Sequence, residues 1–205
     1  MNLKTLITSE FIYYREEPNI GTVTMWAEEL KNYDVLEIQQ AYKKLRNAHT
    51  KVPQPQFIKK MLLGFIDADE AWSLLPNSEE DSVVWNQAAR KSWGSVRETM
   101  ASDLIGARMA FKRAYDANVL DCLDVNERAI YELSEGSNKE MRDQRLKQAI
   151  DRGWIKPKHA REWSPDIALP QAQLLQIEGV KETYTESVAQ ENIEKLKSIL
   201  SGKKL

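Results

Sequence analysis

Cysteine is nearly missing from this chain: Cys122 is the only one among 205 residues. No intrachain disulfide and no cysteine-based metal cluster can form, and Cys122 itself is expected to be a small apolar helix residue. Histidine is almost as scarce. His49 and His159 lie far apart in sequence, and neither has a second histidine at helical spacing to complete a metal pair. Phosphate-loop spacing, GxxxxGK[ST], is absent, so ATP hydrolysis by this chain is not expected. No GxSxG nucleophile elbow occurs either. Acid pairs such as Asp67 with Asp69, or Glu79 with Glu80, fall beside helix starts, where the helix dipole alone favours them. These absences argue against an enzyme and leave no cofactor or metal to expect. The N-terminal MNLKTLITSEF lacks the apolar core of a signal peptide, and nowhere do about 18 apolar residues run together. A cytoplasmic protein with no membrane partner is the expectation.

Breakers of helix are also few. Eight glycines and seven prolines punctuate the chain, and residues 77–156 contain no proline. Alternating β-branched runs closed by Asn-Gly or Asp-Gly turns are missing. The fold class expected is therefore all-α: one or more multi-helix bundles with short loops, then a proline-containing arm and a C-terminal amphipathic helix. Start and stop signals divide it further. A first helix covers residues 3–14, and Thr22 or Thr24 caps a second that carries Met25, Trp26 and Leu30. Asp34 caps a third, in which Ile38, Ala41, Tyr42 and Leu45 recur at helical spacing. Pro53 and Pro55 end it, and Pro55 sits in the first turn of a fourth. DADEAWSLLP reads as a short helix and residues 78–100 as one or two, with Gly94 a possible break. Ser102 caps the helix at 103–123, where Gly106, Ala107 and Ala110 are small enough for a neighbouring helix to approach. Further helices are expected at 125–135 and, opened by Asn138, up to a left-handed cap at Gly153.

The organisation that follows is an N-terminal helical module at 1–65, a second helical region at 66–155, a linker or extended arm at 156–182, and a C-terminal helix at 183–205. Thr183 and Glu186 can form a capping box for that last helix. Ala189, Ile193, Leu196 and Leu200 then give it one apolar face. Such a helix either folds back on the body or lies in the groove of another protein or a second copy, which makes Ile193, Leu196 and Leu200 candidate partner-binding residues.

One stretch lacks charge of one sign. Residues 38–66 contain Lys43, Lys44, Arg46, Lys51, Lys59 and Lys60 and no Asp or Glu, although the whole chain carries 31 acids against 29 bases. These cations are either the solvated face of two helices or a phosphate-facing patch, since clustered bases without neighbouring acids keep a field that polyanions can neutralise. No array of Arg, Asn or Gln suggests base readout.

The segment TVTMWAEELKNYDVLEIQQAYKKLRNAHTKVPQPQFIKKML resembles the N-terminal module of bacteriophage replisome-organiser and helicase-loader proteins. The positions that carry the resemblance are Trp26, Leu30, Tyr33, Ala41, Leu45, Pro53, Pro55, Phe57 and Ile58, within about residues 20–63. DADEAWSLLP and DLIGARMAFKRAYDANV are similar to segments of prophage-encoded proteins. The resemblance implies an adaptor without ATPase activity, working in a bacterial host cell, that binds the replicative helicase and delivers it to phage replication DNA. By position alone, it assigns helicase contacts to the C-terminal helix. Two other readings fit the residues themselves. One is a helical DNA-binding regulator or packaging protein. The other is a phage protein that binds and inhibits a host factor, with Trp72, Trp85, Trp93, Trp154 and Trp163 as possible anchors.

Overall fold

The computed structural model describes residues 2–169, and within them the chain is mostly helical. The expected C-terminal helix, with Ile193, Leu196 and Leu200, and the arm beyond residue 169 lie outside the described residues. Two compact units divide at residue 154. The first holds α1 (Leu3–Tyr13), α2 (Ile20–Leu30), α3 (Val35–Leu45), α4 (Pro55–Leu62), α5 (Ala68–Ser73), β1 (Val83–Asn86), α6 (Gln87–Val96), α7 (Leu104–Asp124), β2 (Tyr131–Ser134) and α8 (Lys139–Asp151). No helix among the described residues is long and apolar enough to cross a membrane.

Short polar side chains start most of these helices by accepting the amide hydrogens that a first turn leaves free. Asp34 takes those of Leu36 and Glu37 at 2.8 and 3.2 Å, as its sequence position suggests. For α2 the cap is Asn19 rather than Thr22 or Thr24, with bonds to Gly21 and Thr22. For α7 it is Asp103, not Ser102: its carboxylate accepts from Gly106 at 2.8 Å. Gly106 thus faces its own cap, and Ala110 is exposed, so only the fully buried Ala107 of that trio serves close packing.

Four helices end in the same double bond. After α8 the Gly153 amide donates to Ile150 and the Trp154 amide to Ala149, with Gly153 at φ +73°. This is the left-handed cap that a terminal glycine permits. The pattern recurs after α4 through Gly64 and Phe65. It recurs again after α1 and α7 with Arg15 (φ 57°) and Asn126 (φ 56°) in the left-handed position.

Two apolar clusters form inside the first unit. One joins α1, α2, α3 and α4 around Leu6, Ile7, Leu30, Ile38, Tyr42 and Ile58, all essentially without exposure. The other gathers Phe65, Ala71, Val83, Trp85, Ala89, Phe111, Tyr115 and Val119 around α7, which α5 and α6 flank. Each large apolar side chain so buried contributes about 1.5–3 kcal/mol relative to exposure. Tyr33 packs against both clusters, and its hydroxyl donates to the Asn126 side chain.

The structure corrects the reading of three segments. Residues 83–86 and 131–134 are strands, not helix, paired antiparallel with Val83 opposite Ser134 and Asn86 opposite Tyr131. All four β1 residues are buried, so no alternation marks the strand in the sequence. Asn86 closes the strand and opens α6, its carbonyl oxygen accepting from the Ala89 amide and its amide group donating to the Tyr115 hydroxyl. At the other end Gly136 passes so close to the Glu80 backbone that a Cβ would stand 2.2 Å from the Glu80 carbonyl oxygen. Gly94, a possible break, lies inside α6. In the second unit, a short helix, α9 (Pro157–Trp163), occupies residues read as an extended arm; Pro157 starts it in the way a first-turn proline can.

Candidate functional site

Residues 38–66 fold as α3, an extended bend around Val52–Pro53, and α4, with Pro55 at the first helical position. The bend is held from inside. Val52 and Pro55 are buried, and the His49 ring stands 4.9 Å from that of Phe57.

The six cations of this stretch divide into two groups. Arg46 turns inward, its Nη2 donating to Glu10 Oε1 at 2.7 Å and its Nε to Oε2 at 3.2 Å. The Glu10 side chain is 1% exposed. That two-pronged bond is the first cause holding the Arg46 pKa above its ordinary value, and the guanidinium also lies 4.2 Å from the centre of the Tyr13 ring. Lys59 meets Glu29 at 3.5 Å, and Lys60 meets Asp67 at 3.1 Å while lying 5.9 Å from the Tyr115 ring centre. Lys43, Lys44 and Lys51 are exposed and make no ion pair among the described residues. The acid-free stretch is therefore neutralised in part by carboxylates from α1, from α2 and from the residue before α5. Of the six, Arg46 is paired with the buried Glu10, Lys59 and Lys60 meet exposed carboxylates, and Lys43, Lys44 and Lys51 make no ion pair among the described residues.

Sequence reading passed over Glu10, although a signal was there. It follows Leu6 and Ile7 at four- and three-residue spacing, on the side of α1 that the core claims. A carboxylate at such a position needs a cation beside it, since an unpaired buried charge is costly. Burial raises the Tyr42 hydroxyl pKa well above its ordinary value, and the nearby Glu10 charge adds to the effect.

A different surface of the same module is apolar. On α2, Ile20 is 85% exposed and Met25 56%. Together with Gly21, Thr24, Glu28 and Glu29 they form one open, exposed side of α2. Asn19 caps α2 ahead of both threonines, so Ile20 and Thr24 are helical residues, and both are exposed.

The five tryptophans named as possible anchors are all at least partly buried. Trp85 is buried, and Trp72 and Trp93 pack on the second cluster. Trp154 stacks on Tyr131 at 4.4 Å between ring centres, and Trp163 is half-buried. Cys122 is buried, and burial raises its thiol pKa. Among the described residues no group of His, Cys, Asp and Glu could hold a metal ion. No protein-family model, curated protein or solved structure matches this chain.

Proposed function

We propose that this protein is a helical adaptor, without ATPase activity, that binds a bacterial replicative helicase and helps to load it onto DNA. The observation that carries the reading is the exposed side of α2, where Ile20 and Met25 stand in solvent beside Glu28 and Glu29. Large apolar side chains that stand together in solvent are what a partner protein can cover. This side of α2 also lies within the segment that resembles helicase loaders. Apolar anchors beside acids suit a partner segment with an apolar ridge flanked by Lys or Arg.

Mixing the purified full chain with a hexameric bacterial replicative helicase should give co-elution on size exclusion. The Ile20→Asp/Met25→Asp variant should lose it, and deletion of residues 183–205 should weaken it. Separate elution of the intact chain at micromolar concentrations would remove the proposal.

A second reading, direct binding to duplex DNA, is favoured by Lys43, Lys44 and Lys51, which are exposed and unpaired. On that reading, retention on DNA at low salt disappears in the variant with all three lysines changed to Glu.

A further inference from the structure

The longest helix of the described residues is apolar on two sides. One side of α7 carries Ala107, Phe111, Tyr115, Val119, Cys122 and Leu123 into the second cluster. The opposite side presents Ile105, Met109, Arg113, Asp116, Leu120 and Asp124, every one of them exposed. Ile105 is 79% exposed, Met109 49% and Leu120 47%.

The spacing of these six positions is four, four, three, four, four, which reads the same in both directions. An antiparallel copy of the helix, related by a two-fold axis between residues 114 and 115, therefore meets its own pattern. Met109 falls opposite Leu120 of the second copy, and Arg113 falls opposite its Asp116. Neither Arg113 nor Asp116 has an ion-pair partner among the described residues. The axis doubles each of these pairs, giving two apolar contacts and two opposite-charge contacts at the centre of the face, while at its ends Ile105 falls opposite Asp124 and adds neither.

A receiving shape is already present. Leu120 and Asp116 line a hollow of about 220 Å³ with Val119 and Leu123 of α7 and with Gln56, Phe57 and Lys60 of α4. Phe57 is 37% exposed. An unbranched methionine side chain is suited to fill such a gap, and the symmetry delivers Met109 of the second copy to this place.

We infer that the outward face of α7 is the contact surface of a two-fold dimer of this chain, with Met109 seated between α4 and α7 of the other copy and Arg113 paired with its Asp116. With 21 residues, α7 is about 31 Å long, so the contact is narrow and belongs with weak or transient interfaces. This inference does not depend on the helicase reading, which rests on α2.

Sedimentation velocity of the full chain over a wide concentration range tests it. Reversible dimerisation is expected, with Met109→Asp or Asp116→Arg raising the dissociation constant about tenfold or more. Arg113→Asp should weaken the dimer similarly, and the double variant Arg113→Asp/Asp116→Arg should restore it. Circular dichroism checks that each variant keeps its helix content, which these exposed positions allow. A chain that stays monomeric throughout overturns the inference. So does a dimer that Met109→Asp and Asp116→Arg leave unchanged, because another face would then be holding it together.

Discussion

Replacing Arg46 by Met would leave the Glu10 carboxylate in the apolar interior without a cation. Removing one member of a buried pair is costly because the other cannot recover its hydration. Because the Arg46 side chain is itself 29% exposed, the loss should fall near the low end, about 2–3 kcal/mol. Urea unfolding would measure it as a lower midpoint. Changing Glu10 to Gln in the same protein should recover part of the loss, since an amide is cheaper to bury than a charge. If Arg46→Met unfolds with the wild type, the pair is not structural. At this scale the sequence was legible where a residue's neighbours along one helix decide its role, as for Asp34 and Gly153. It was not legible for Arg46, whose partner is 36 residues away. The left-handed caps at Arg15 and Asn126 were hidden for a related reason: only glycine announces that conformation by its identity.

Asp69 ties α5 to α7. Its two oxygens accept from Arg108 at 2.8 Å and from Lys112 at 2.7 Å, and the bonds to Lys112 and then Arg108 hold its carboxyl below the usual value. A carboxyl lowered by folding binds its proton more readily when unfolded. Its stabilisation is therefore present above the ordinary carboxylate value and is lost as pH falls through the folded one. Wild type should accordingly exceed Asp69→Asn in urea midpoint at neutral pH, and the two should converge in acid. A gap that does not change with pH would contradict this. Element reading from sequence succeeded for α1, α3, α4 and α8, where caps, prolines and apolar period agree. It failed for β1 because a four-residue strand buried throughout shows no period of two, and for β2, where only Tyr131 is buried, because four residues are too few to establish one. The helix α9 was missed because three prolines within residues 157–170 read as a broken segment, although Pro157 begins a helix and the other two follow its end in sequence.

For the molecule as a whole, charge is nearly balanced at −2, so any attraction to a polyanion must be local. Six unpaired cations in the 38–66 stretch would give a logarithmic salt slope of about −5.4 for duplex binding, at roughly −0.9 per phosphate contact. The three that remain free give about −2.7. Binding isotherms at several salt concentrations distinguish these, and a slope near the larger value would mean that the ion pairs of Arg46, Lys59 and Lys60 open on DNA. The helical class of the fold could be read from composition, but the division of the cations could not, because it depends on which distant carboxylates the fold brings back to them.

Tyr33 touches both apolar clusters, and the Ala129 amide reaches back to the Leu63 carbonyl at 2.8 Å. The two halves of the first unit thus share a wall, and neither could be exchanged by recombination near residue 65 without stripping a face from the other. Inheritance of this region is expected to be joint, as a single block of coding sequence spanning residues 2–154.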